Sequence, residues 1–155
     1  MTVSVVVAIT GLFLAGLLAG EELVIRVGVR AAIDVLGERA HIELRQALIG
    51  RLRVFVPAIY GPTAILAVAV TVLDRGEVGF GLRCLGVLAL LVWIVVTLGG
   101  TVPINEAAFE WDATAPPSDW RSLVERWERL NTIRTAAAVA AFACLSIAVG
   151  LQLAA

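Results

Sequence analysis

The side chains able to do chemistry in this sequence are few, and most sit where long apolar runs begin or end. Glu21 and Glu22 close the first run, Asn105 and Glu106 close the third, and Asn131 and Arg134 open the fourth. Thr97, Thr101 and Asn105 recur at i, i+4 and i+8, so they share one face of a helix. Trp127, Asn131 and Arg134 share another. When residues 38–53 are wound at about 100° per residue, Leu44, Leu48, Ile49 and Leu52 form an apolar sector, and Arg39, Glu43, Gln46 and Arg53 a polar one. His41 falls at the centre of the apolar sector, with Arg45 and Glu38 beside it. Carboxylates and an imidazole exchange protons, and guanidinium and amide groups hold anions. Ionisable groups turned inward at membrane depth are candidates for a functional site. The competing explanation is structural: ion pairs of Glu22 with Arg134 and of Glu38 with Arg45 that lock the helices, and arginines that reach to headgroups.

The elements that must position these groups are helices in lipid. Of 155 residues, 60% are hydrophobic and only 16% charged, against about a quarter charged in soluble domains, and the mean hydropathy is +0.95. Four runs are each about the 20 residues that a bilayer core requires: Val3 to about Gly20, Val54 to Leu73, Gly81 to about Thr101, and Thr135 to Leu153. The expected fold is an all-α membrane protein, a single domain over residues 1–155. Its four transmembrane helices form a bundle, with amphipathic helices in the first and third loops. Gly16-x-x-x-Gly20 allows a neighbouring helix to come close. Pro57 and Gly61-Pro62 predict a bend in the second span. After the uncharged run from Cys84 to Leu98, the segment Gly99-Gly100-Thr101-Val102-Pro103 predicts a kink or a stop, because Pro103 lacks an N–H and crowds the carbonyl of Gly99. Any backbone opened there must find partners in protein or water, never in lipid. In the third loop, Pro116-Pro117-Ser118 reads as a stop followed by an N-cap. The helix after it gathers Trp120, Leu123, Val124, Trp127 and Leu130 on one face.

All 12 cationic residues are arginine, and ten of them fall in the first and third loops or at their edges: Arg26, Arg30, Arg39, Arg45, Arg51, Arg53, Arg121, Arg126, Arg129 and Arg134. Arginine marks cytoplasmic loops, so these loops are expected in the cytoplasm and both termini outside, in the cell membrane. A net charge of −1 and the lack of a basic tract with interleaved aromatics argue against nucleic acid. Cys84 and Cys144 are isolated in apolar runs and read as packing residues.

The stretch Val102-Pro103-Ile104-Asn105, taken with Trp127-x-x-x-Asn131-x-x-Arg134-Thr135, resembles the anthrone oxygenase family. These are small four-helix membrane proteins with a V-P-[LI]-N motif after span three and a W-x-x-x-[NH]-x-x-R-T motif opening span four. The resemblance implies oxygenation of a phenolic or polycyclic hydrophobic substrate by dioxygen. An anthrone has an acidic C–H whose carbanion reacts directly with dioxygen, so a base and an anion stabiliser suffice and no cofactor is expected. On this reading Glu22 or His41 is the base. Asn105, Arg134 and Arg45 hold the developing phenolate. Trp127 offers a flat face to a ring, with Asn131 and Thr101 beside it.

A metal held by Glu22 and His41 is the weaker expectation, because the sequence has one histidine and no paired-ligand motif. Two other functions fit the same residues. One is a small proton-coupled transporter using Glu22, although the nearby arginines would repel a cationic cargo. The other is a structural membrane subunit whose polar cluster only fixes helix register; on any of these readings the sequence leaves room for a homo-oligomer.

Overall fold

The computed structural model describes residues 3–154; Met1, Thr2 and Ala155 lie outside the described residues. Helix α1 (Val3–Leu23) continues through a π-helical turn (Val24–Val29) into α2 (Arg30–Asp34), and α3 (Glu38–Leu73) follows a short turn. Helix α4 (Phe80–Val96) continues through a second π-helical turn (Thr97–Thr101) into α5 (Val102–Phe109), and α6 (Trp120–Ala154) completes the chain. The four helical columns are each long and apolar enough to cross a membrane, and no strand occurs among the described residues.

The amphipathic segments of the first and third loops are the ends of the spanning helices, not separate pieces. With 36 residues, α3 is about 54 Å long at 1.5 Å per residue, far more than the ~30 Å of a hydrocarbon core. Its first turns therefore extend beyond the core with their polar sector intact. The helix runs unbroken through Pro57 and Pro62. Pro103 does not stop its helix either: the wide turn Thr97–Thr101 precedes it, and α5 goes on to Phe109. Thr101 Oγ1 donates to the Thr97 carbonyl at 3.2 Å across that turn. Helix α6 starts at Trp120, with Asp119 rather than Ser118 just before it.

The core is small-residue packing between columns. Ala15, Leu18 and Ala19 of α1 meet Val56, Ile59 and Ala67 of α3, Leu90 and Trp93 of α4, and Ala137, Ala138, Ala141 and Leu145 of α6. Large apolar side chains such as Phe13, Ile65, Leu85 and Val95 point outward, which water would penalise and acyl chains do not. Of the Gly16–Gly20 pair only Gly16 is used, under the ring of Phe142, while Gly20 has open space. Cys84 is exposed on the outer surface rather than packed.

Each end of the bundle is tied differently. At the end carrying the Asp74–Gly79 turn, Asp74 takes hydrogen bonds from Ser4 Oγ (2.7 Å) and Gln152 Nε2 (3.1 Å) and an ion pair from Arg83 (3.3 Å), joining all four columns. At the other end Ile42, Ala108, Trp111, Trp120 and Val124 form a second apolar cluster. There Gln46 Nε2 donates to the carbonyls of Ala108 (3.1 Å) and Trp111 (2.8 Å).

Candidate functional site

Between these two ends the columns part around a cavity of about 720 Å³. Its floor is aromatic: Trp93 lies stacked on Tyr60, with ring centres 4.5 Å apart at 17°, and Tyr60 donates its hydroxyl to the Leu90 carbonyl at 3.0 Å. Beside the floor stands the buried pair Glu22–Arg134, 2.5 Å apart. Glu22 Oε1 also accepts from Trp93 Nε1 at 2.8 Å. Arg134 in turn donates to Thr101 Oγ1 at 3.2 Å and lies over the Trp93 ring at 4.5 Å. The Thr135 hydroxyl is 3.4 Å from Glu22 Oε2 and 2.9 Å from the Asn131 carbonyl, which is the better-placed acceptor for its single proton.

Higher in the wall, Arg45 lies over the ring of Trp127 at 4.9 Å. At the rim Arg30 pairs with Glu128 at 2.7 Å, and Arg26 hydrogen-bonds Thr132. Exposed rim residues Arg30, Asp34 and Glu110 open the cavity at the end of the bundle. Pro57 and Leu98, exposed on the apolar flanks of their helices, open it sideways between α3 and the second π turn.

Six buried side-chain atoms among the described residues lack a hydrogen-bond partner: Glu21 Oε2, His41 Nε2, Arg45 Nε, Asn105 Oδ1, Trp127 Nε1 and Arg134 Nε. Five of them belong to residues that line the cavity. Buried polar atoms left unpaired are costly, and their concentration on one cavity marks it as built to receive a polar group. The five are three N–H donors, two of them cationic, and two oxygen acceptors.

Seven of the eight residues singled out in the sequence meet here: Glu22, Arg45, Thr101, Asn105, Trp127, Asn131 and Arg134 all line the cavity, as does Thr97. His41 does not. It is buried as expected, but against Trp120, with ring centres 5.2 Å apart at 67°, in the apolar layer beyond the cavity. A helical wheel gives the angle of a side chain and not its height, and His41 is a turn too high. The Glu22–His41 ligand pair is therefore not brought together, and no three His, Cys, Asp or Glu side chains converge among the described residues. The pairing of Glu38 with Arg45 is not formed; Glu38 takes Arg121 instead, at 3.0 Å. Trp93 and Tyr60 were not marked by the sequence, and Glu21 was noted beside Glu22 but given no role. Tyr60 and Trp93 sit inside apolar runs, where nothing nearby betrays a polar partner.

A sequence-family profile described as Anthrone oxygenase matches residues 49–144, more than half of the chain. The chain belongs to the anthrone oxygenase family. The match contains the cavity residues of α3 from Ile49 onward and those of α4, α5 and α6, with Thr101, Asn105, Trp127, Asn131 and Arg134 among them. Glu21, Glu22 and Arg45 lie before it. No curated protein and no solved structure matches the chain.

Proposed function

We propose that this protein oxygenates a phenolic polycyclic compound with dioxygen inside the cavity, as its family's description suggests. The observation that carries the reading is the gathering of unpartnered buried donors and acceptors on a cavity with an aromatic floor. An anthrone and dioxygen give the quinone and water. The arginine and indole N–H groups are suited to hold the anthrone oxygen as it becomes negative, and the Tyr60–Trp93 stack offers the rings a flat surface. The sideways opening beside Pro57 and Leu98 suits a substrate dissolved in the bilayer. In this reading the cavity's rim faces the cytoplasm, in line with the arginine bias.

A proton-coupled exporter is the weaker reading, because Glu22 is engaged by Trp93 and Arg134 rather than free to cycle. The test is oxygen uptake by detergent-purified protein supplied with anthrone and hydroxylated anthrones. Uptake matched by quinone formation, above that of empty detergent and of heat-inactivated protein, is expected. Bound anthrone with no uptake above these controls would remove the oxygenase assignment.

A further inference from the structure

Glu21 and Glu22 are adjacent on α1, about 100° apart around the helix, and the two carboxylates have different surroundings. Glu22 is 1% exposed, and its Oε1 accepts from both Trp93 and Arg134. Protonating it would leave Arg134 buried with only a threonine hydroxyl and an indole face, and a buried charge stripped of its partner is strongly disfavoured. Glu21 also lines the cavity, but its Oε2 is buried with no partner at all. Around the same space stand the free N–H groups of Arg45, Trp127 and Arg134.

We propose that Glu21, not Glu22, is the base that takes the substrate proton, an inference that rests on the oxygenase reading of the cavity. The C–H bond of the anthrone breaks, its proton goes to Glu21 Oε2, and the electron pair passes through the ring to the oxygen. That oxygen, now a phenolate, accepts hydrogen bonds from the free N–H groups of Arg134, Arg45 and Trp127. Dioxygen is the oxidant. A C–O bond forms at the deprotonated carbon, and the peroxide anion takes the proton back from Glu21 to give a hydroperoxide. Glu21 then accepts the second C–H proton as the O–O bond breaks and passes it to the departing hydroxide, so the products are a carbonyl and water. Glu22 holds Arg134 and Trp93 in place and exchanges no proton.

The proton step can be read without oxygen, as exchange of the anthrone C–H for deuterium in anaerobic heavy water. Wild-type protein should speed exchange above the buffer rate. Glu21→Gln should melt at the wild-type temperature and lose the enhancement by about 10²–10⁴-fold, the usual contribution of a general base. Glu22→Gln should melt lower, because it leaves Arg134 buried without its anion. In Glu21→Ala, added formate should restore exchange in proportion to its concentration, which a merely structural carboxylate would not allow; this variant also serves if Glu21→Gln is unstable.

Exchange by Glu21→Gln within a few-fold of wild type, a folded Glu21→Ala that formate leaves unchanged, or no exchange by the wild type would overturn the assignment. Exchange without oxygen uptake in air would instead sink the oxygenase reading and leave Glu21 as the base.

Discussion

Two buried ion pairs hold the columns together, one on each side of the core, and the contrast between them separates scaffold from site. Asp74 and Arg83 are closed off. Asp74 Oδ1 takes Ser4, Oδ2 takes Gln152 and Arg83, and Arg83 also donates to Gln152 Oε1 at 2.8 Å and to the Val78 carbonyl at 3.4 Å. The gap that Arg83 lines has only about 10 Å³. Glu22 and Arg134 form a pair of the same kind, but Arg134 Nε is left over and both residues border the 720 Å³ cavity. A buried ion pair alone is therefore weak testimony for function. What distinguishes the second pair is unspent hydrogen-bonding capacity facing a space.

The comparison can be broken most directly by cutting each pair. Arg134→Met and Arg83→Met each leave a buried carboxylate without its cation and should lose about 3–5 kcal/mol of stability, seen as lowered melting temperatures in detergent. The compensated double changes should then diverge. Arg83→Met with Asp74→Asn should recover stability and turn over anthrone normally, whereas Arg134→Met with Glu22→Gln should recover stability and stay inactive. Equal turnover in both doubles would make the second pair scaffold as well.

A smaller effect is expected from Trp93→Phe. It keeps a ring on Tyr60 but removes the N–H that Glu22 Oε1 accepts, at a cost of about 1–3 kcal/mol. Comparable in size, and centred on packing, is Gly100→Ala: its new Cβ would lie 2.8 Å from Leu130 Cδ1, an overpacking worth about 1–3 kcal/mol. No loss of melting temperature there would show that Leu130 yields freely and that the second π turn is loosely held.

The smallest effect lies in the loop before α6. Thr114 donates its hydroxyl (2.7 Å) and backbone N–H (2.8 Å) to Asp112 Oδ1, and these bonds hold the Asp112 carboxyl below its ordinary value. A depressed carboxyl contributes stability above its unfolded pKa and loses it as pH falls through the folded one. Thr114→Val should therefore raise the Asp112 titration towards the ordinary aspartate value in a carboxyl NMR titration, with no change in anthrone turnover. A titration that does not move would mean that these bonds do not govern the carboxyl.

Much of the architecture was legible because lipid imposes simple rules. Uncharged runs of bilayer length give the four columns, and the i, i+4, i+8 spacing of Thr97, Thr101 and Asn105 sets them on one cavity wall. The pairing of Glu22 with Arg134 was legible too, since a buried arginine needs an anion and few were at its level. Depth and partner choice were not. Glu21 and Glu22 look alike in sequence, and only the position of α4 and α6 decides which one meets Trp93 and Arg134. Trp93 is hidden among valines and leucines, and His41 was placed by angle alone. The Asp74–Arg83 tie joins residues near the ends of all four columns, contacts that no local pattern announces.

The two π-helical turns carry a consequence for chain length. Val24–Val29 and Thr97–Thr101 each supply lining residues to the cavity, and a π turn holds one residue more than an α turn spanning the same hydrogen-bonded loop. Deleting Gly99 would turn Thr97–Thr101 into a regular α turn, and α5 would keep its face, because the π turn already absorbs the extra residue. Asn105 would stay on the cavity wall, and Ile104 and Ala108 would stay buried; the lining that changes is that of the turn itself, Thr97, Leu98 and Thr101. Part of the site is thus written as a number of residues rather than as their kinds. Two chains differing by one residue in this turn would share the face of α5 and differ in the stretch of wall that the turn builds, and an alignment would record the difference only as a gap.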